Sequence, residues 1–241
     1  MELLTSGLEV TELFILPTGQ GKNLDELTYN AQRDGVRLVH KNRFELDRLV
    51  GGENHQGVIA YYLLPDPLTL TELIERNDLP AQPLMVLDGI EDPHNFGAII
   101  RSTEVLGGGG VLFRRKRAVG ITPTVVKASA GAALRFPLAE VSNIDQGIRQ
   151  LQEDGYWVYG LDMDGEKVLW DEQFDGKVAF VLGAEGEGLA KLTRRRCDAI
   201  LQIPQAGKIG SLNVSVSAAM AMGEWLRQKR NSSNTKNEKD S

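Results

Sequence analysis

Two glycine-rich loops hold the residues best placed to do chemistry, GAEGEG at 183–188 and PQAGKIGSLN at 204–213. Each follows a short apolar run, Val178–Leu182 and Ala199–Ile203, that reads as a buried parallel strand. Loops leaving the carboxyl ends of strands in an open α/β sheet are the usual seat of a ligand, so a small molecule is expected there. Glu185 lies in the first loop. Ser211 and Asn213 flank Leu212 in the second, before a helix with apolar positions Val214, Ala218, Ala221, Met222 and Trp225. A third loop, DGIEDPHNFG at 88–97, places Asn95 at the start of another helix. Arg101 lies roughly opposite that helix's apolar face of Phe96, Ile99, Ile100, Thr103 and Leu106.

Taken singly, each residue has a plain role. Asn95, Ser211 and Asn213 are natural helix caps, Glu185 an exposed acid, and Arg101 a charge on a polar face. Leu182, Ile203 and Leu212 fit core packing, and Gly183 fits a tight turn or a close backbone approach. The glycine loops also fail the familiar nucleotide fingerprints. Gly183, Gly186 and Gly188 give GxxGxG rather than GxGxxG, and the run Gly107–Gly110 precedes a strand. GKIGS at 207–211 lacks the Ser or Thr after Lys that a phosphate-binding loop needs, and no GxSxG elbow occurs.

The elements that must position these loops alternate regularly from Leu84 onward. LMVL (84–87), GGGGVLF (107–113), PLAEV (137–141) and YWVYGLD (156–162) read as strands. Helices are expected over Thr124–Ser129, with Pro123 in its first turn, and over Ile144–Glu153. Strands separated by helices predict an α/β domain, 84–228, with a parallel sheet covered on both faces. Residues 1–63 read as a smaller α/β unit, with strands at Glu12–Leu16, Val36–Val39 and Val58–Leu63 and helices at Leu24–Arg33 and Phe44–Val50. The chain starts almost at its first element, so this unit is expected to lack an opening strand or helix. His55 and Gln56 sit where a turn meets a strand, which suits turn hydrogen bonds and RNA contact equally. Residues 64–83, with four prolines, read as a linker, and 229–241 as a disordered polar tail.

Composition narrows the class. The 241 residues carry a net charge of −6, 41% hydrophobic and 25% charged residues, as expected of a soluble globular protein. No apolar run is long enough for a membrane span, and the acidic N-terminus is unlike a secretory signal, so a cytoplasmic location is expected. One cysteine and three scattered histidines exclude a disulfide framework and argue against a metal site. Cys197 follows three arginines that would activate a thiol, yet a small residue at a buried strand is the favoured reading. The basic runs at 114–117 and 194–196 suit a phosphate footprint and a solvated face equally.

Three blocks together resemble the SpoU family of RNA ribose 2′-O-methyltransferases, within the SPOUT class. They are LDGIEDPHNFGAIIRSTEVLG (87–107), FVLGAEGEGL (180–189) and IPQAGKIGSLNVSVSAAMA (203–221), in the family's order. HQGVIA (55–60) is similar to members that methylate a guanosine in the peptidyl-transferase P loop of 23S rRNA. TPTVVKASAGAA (122–133) agrees with ribosomal-RNA members. PQAG departs from the PMAG of many relatives, which touches a pocket wall at Gln205 and no catalytic group.

The resemblance implies a deep trefoil knot, which no general topology rule would propose. It further implies an S-adenosylmethionine site, a homodimer through the knotted domain, no metal, and an N-terminal RNA substrate-binding domain. By resemblance the catalytic set is Arg101, Asn95, Glu185, Ser211 and Asn213, with Glu185 near Asn95 and Arg101, where it would orient the guanidinium. The cofactor would lie against Leu182, Gly183, Ile203 and Leu212. The expected reaction is methyl transfer to a ribose 2′-hydroxyl of RNA, with 23S rRNA as substrate. A transfer-RNA substrate and a noncatalytic RNA-binding assembly factor are the alternatives.

Overall fold

The computed structural model describes residues 10–17, 22–51, 55–64, 66–76, 82–114, 120–207 and 210–237, without side-chain placement at 22–24 and 233–237. The chain divides into two compact units, residues 1–66 and 67–241.

The first unit is built on β1 (Val10–Ile15), α1 (Lys22–Arg33), β2 (Arg37–His40), α2 (Arg43–Leu49) and β3 (Val58–Tyr62). The strand order is β2-β1-β3, parallel between β1 and β2 and antiparallel between β1 and β3. Alternate residues Leu13 and Ile15 of β1 bury against Ala31 and Leu27 of α1. Helix α2 opens with a capping box, in which the Asn42 side chain accepts from Glu45 N at 3.0 Å and Asn42 N donates back to Glu45 Oε2 at 2.9 Å. His55 belongs to the turn: its Nδ1 accepts from Gly57 N at 2.9 Å while Nε2 meets Asp47 Oδ1 at 3.0 Å. Both ring nitrogens are thereby occupied, which favours the turn role over RNA contact.

The second unit contains α3 (Leu70–Arg76), β4 (Leu84–Leu87), α4 (Pro93–Val105), β5 (Gly110–Arg114), α5 (Pro123–Ala128), β6 (Leu138–Val141), α6 (Ile144–Glu153) and β7 (Tyr156–Leu161). It continues with β8 (Lys167–Val168), β9 (Lys177–Leu182), α7 (Lys191–Arg196), β10 (Ala199–Gln202) and α8 (Val214–Asn237). Seven strands form one sheet in the order β6-β5-β4-β9-β7-β10-β8, and every pairing is parallel. The sheet separates two apolar layers. Met85 and Leu87 of β4 face Phe96, Ile99 and Ile100 of α4 and Ala218 and Met222 of α8. Leu84 and Val86 face Leu70 and Leu73 of α3 and Ile148 and Leu151 of α6. Burial on both sides is why LMVL is an unbroken apolar run.

Two expectations are corrected. Part of the linker 64–83 is the helix α3, whose Leu70 and Leu73 are core residues. The tail is not disordered from Lys229, because α8 continues to Asn237. Gln228 holds that helix down: its Nε2 donates to Glu172 O at 2.9 Å and its Oε1 accepts from Phe174 N at 3.0 Å.

Candidate active site

Strands β7, β9 and β10 end side by side, and their loops enclose a cavity of about 380 Å³. Its apolar walls come from the strand ends, Leu161, Leu182, Leu201 and Ile203. Gly183 follows β9 directly and requires glycine for steric reasons. A Cβ there would sit 2.0 Å from Gly188 O and 2.3 Å from Gly188 C. The loop closes on itself at that point, with Gly188 N donating to Ala184 O at 3.0 Å. Positive φ is instead needed at Gly186 and Gly188, at +79° and +68°. All four residues assigned to the cofactor, Leu182, Gly183, Ile203 and Leu212, line this cavity, as do Glu185, Ser211 and Asn213.

Asn95 supplies the junction. Its Nδ2 donates to Glu185 Oε1, and its Oδ1 accepts from Asn213 Nδ2 at 3.0 Å. The second amide is fixed in turn by α8. Asn213 Oδ1 accepts from Ser215 N at 2.8 Å and from Ser215 Oγ at 2.6 Å, so it caps that helix. Three residues from distant parts of the chain, one in the first turn of α4 and two in loops, thus meet in a single hydrogen-bonded chain.

The cap expected of Asn95 belongs to Asp92, whose carboxylate accepts from His94 N at 3.1 Å and Asn95 N at 3.4 Å. Pro93 occupies the first turn behind it, which pushes the cap to the preceding residue and leaves the Asn95 side chain free for the site. Arg101, two turns further along α4, is exposed and makes no hydrogen bond or ion pair with any described residue. The structure therefore pairs Glu185 with Asn95, not with Arg101 as expected.

Asp162 was not singled out from the sequence, although it closes the apolar run YWVYGL and lines the cavity. With Glu185 it makes up the charged lining among the described residues. The arginine cluster after it is largely committed. Arg194 meets Asp164 Oδ1 at 2.7 Å, and Arg196 Nε meets Asp145 Oδ1 at 2.6 Å. The hydrogen bond from Arg196 holds the Asp145 carboxyl below its ordinary range. These two arginines tie structure together rather than forming a free phosphate footprint. In the run 114–117, only Arg114 lies within the described residues. Burial pushes the Cys197 thiol up to about 12, outweighing the opposite pull of Arg194, so the packing role prevails.

Among the described residues no group of His, Cys, Asp or Glu could hold a metal ion, and no helix is long and apolar enough to cross a membrane.

Comparison with known proteins places these features. Residues 82–223 match the model of the SpoU rRNA Methylase family, and residues 1–65 match the model for RNA 2′-O ribose methyltransferase substrate binding. The 23S rRNA (guanosine-2′-O-)-methyltransferase RlmB of Xylella fastidiosa is 39% identical over 91% of this chain and 89% of its own length. Its counterpart in Ralstonia nicotianae is 37% identical over 91% and 88%. The crystal structure of the SpoU methyltransferase AviRb from Streptomyces viridochromogenes, in complex with AdoMet, superposes with a TM-score of 0.81. It is 23% identical and covers 95% of this chain and 86% of that one, a likeness of fold. With more than half its length on one family model and close relatives along nine-tenths of it, the chain belongs to the SpoU rRNA methylase family.

Proposed function

We propose that the chain transfers a methyl group from S-adenosylmethionine to the ribose 2′-hydroxyl of a guanosine in the peptidyl-transferase P loop of 23S rRNA. The observation that carries this reading is the convergence of Asn95, Glu185 and Asn213 at the rim of one cavity. The cavity suits the cofactor. Its volume lies in the range of small-molecule sites, roughly 300–1,000 Å³. Leu182, Ile203 and Leu212 offer apolar walls to an adenine ring, Gly183 leaves backbone open to approach, and Glu185 gives a negative charge to a cationic ligand. When bound, S-adenosylmethionine supplies a methyl group activated by a positively charged sulfur.

The chain's own work is positioning and charge. Asn213 and Asn95 hold the Glu185 carboxylate at the rim, and Ser211 adds a hydroxyl beside it. Arg101, unpaired on an exposed helix face, is free to meet RNA. A guanidinium is a poor general base. It acts instead by stabilising the negative charge that forms on the 2′-oxygen.

The same reading takes in a trefoil knot in the second unit, supported by the packing of α8 back against α4 and β9 after the 203–213 loop. It takes in a homodimer through that unit, supported by exposed Val105 on α4 and Val216 on α8. The first unit would bind RNA, supported by the substrate-binding match over 1–65. The site of action would be the cytoplasm, where ribosomal RNA is modified.

The test maps 2′-O-methylation at nucleotide resolution on 23S rRNA from cells with and without the protein. The expected result is loss of one guanosine mark, restored by the parent and not by Arg101→Ala. Persistence of every rRNA mark overturns the substrate, and transfer RNA is then mapped in the same samples.

A further inference from the structure

We propose that Asp162 is a positioning residue that holds the loop walls of the cavity together, braced by Arg194. The proposal rests on the reading of that cavity as the S-adenosylmethionine site. Asp162 stands where β7 runs out, and its N–H donates to Leu201 O of β10 at 3.0 Å. Its carboxylate then reaches two more segments. Oδ1 accepts from Met163 N at 2.7 Å, and Oδ2 accepts from Leu189 N at 3.3 Å. Leu189 is the residue at which the glycine loop ends and the chain turns back into the core. One residue therefore meets the end of β10 through its backbone, and through its side chain joins its own loop to the loop that carries Glu185.

The approach depends on Gly188. A Cβ at that position would lie 3.1 Å from Asp162 Oδ2, against the carboxylate itself. Arg194 completes the arrangement from α7. Its Nη1 lies 3.3 Å from Asp162 Oδ2 and 2.7 Å from Asp164 Oδ1, and its Nη2 donates to Asp164 O at 3.1 Å. The Asp162 side chain is only 14% exposed, so these bonds are shielded from competing water. Both carboxylate oxygens are committed within the protein. Asp162 shapes the cavity through the backbone amides it holds, and its charge is balanced by Arg194.

Position and charge predict different binding. Titration calorimetry would measure S-adenosylmethionine and S-adenosylhomocysteine, whose sulfur is uncharged, on the parent, Asp162→Ala and Arg194→Met. Loosened walls weaken both ligands alike: about tenfold for Asp162→Ala, which loses two charge-assisted acceptor bonds, and about threefold for Arg194→Met. The KM for RNA should stay at the parent value. Weakening confined to S-adenosylmethionine overturns the proposal, and so does tighter binding in Arg194→Met, where an unbalanced carboxylate would attract the sulfonium. Parent-like affinity in Asp162→Ala, with only a lower Tm, also overturns it. If Asp162→Ala does not fold, the sign and ligand dependence of Arg194→Met decide alone. A parent that binds neither ligand overturns the cavity reading itself, and this proposal with it.

Discussion

Replacing Gly183 by alanine should damage the cofactor site through collision alone. The new Cβ would meet Gly188 O at 2.0 Å and Leu189 N at 2.5 Å, both backbone atoms with no rotamer to give way. The Gly188 peptide must recede by well over an ångström. That motion breaks the Gly188 N to Ala184 O bond and pulls Leu189 N from Asp162. Two hydrogen bonds at about 1 kcal/mol each, with overpacking of about 1–3 kcal/mol, set the cost if the loop kept its shape. Residues 185–187 are exposed and can move outward, so the stability loss should settle near 1–2 kcal/mol, a Tm decrease of about 2–8 °C. The rest falls on the ligand, and Kd for S-adenosylmethionine should rise at least tenfold, or about 1.4 kcal/mol. Gly186→Ala is the matched control. It has positive φ but nothing within 4 Å of a Cβ, so it should cost about 1–2 kcal/mol of backbone strain and leave Kd within about threefold. Calorimetry and thermal melts on both variants decide. Equal Kd values for Gly183→Ala and Gly186→Ala would refute the steric argument.

Asn213→Asp keeps the acceptor that caps α8 but loses the donor to Asn95, so Tm should hold within about 2 °C while kcat falls at least about tenfold. A parent-like kcat would confine Asn213 to capping. Cys197 should resist iodoacetamide at pH 8 in the folded protein and react on unfolding, because its thiol is pushed up to about 12. Native labelling at the rate of an exposed thiol would contradict that burial. Asp145, held below its ordinary range by Arg196, stabilises the fold above the unfolded carboxyl pKa and loses that contribution as pH falls through the folded one. Asp145→Asn should therefore lower Tm at pH 7, with the gap to the parent narrowing below about pH 4; a pH-independent gap would remove Arg196 as the cause.

How far the sequence could be read depended on how local each signal was. LMVL announced β4 because both its faces are buried, and the strand-end residues Leu182 and Ile203 marked the cavity walls. The meeting of Asn95 with Glu185 and Asn213 spans 90 and 118 residues, and no periodicity reports a contact of that kind. Only resemblance connected the three. Asp92 followed by Pro93 is a readable cap signal, since aspartate suits the cap and proline the first helical turn. The continuation of α8 was hidden by polar composition, since Gln228 anchors it through hydrogen bonds rather than apolar packing. In the proline-flanked stretch, Leu70 and Leu73 had helical spacing, but only tertiary packing reveals that they reach the core.

The strand order also fixes when this enzyme can come into being. Strand β4 pairs with β5 almost at once, but its other neighbour, β9, lies roughly 95 residues downstream. At about 5–20 residues per second, a ribosome leaves that edge open for roughly 5–20 s. The waiting edge belongs to an entirely apolar strand, the kind of template on which nascent chains aggregate. The cavity walls are complete later still, when β10 and the start of α8 join β7 and β9. Synthesis therefore yields no partly working enzyme. Until the last third of the second unit is complete, the emerging chain has no closed cavity, and only then can it act as a catalyst.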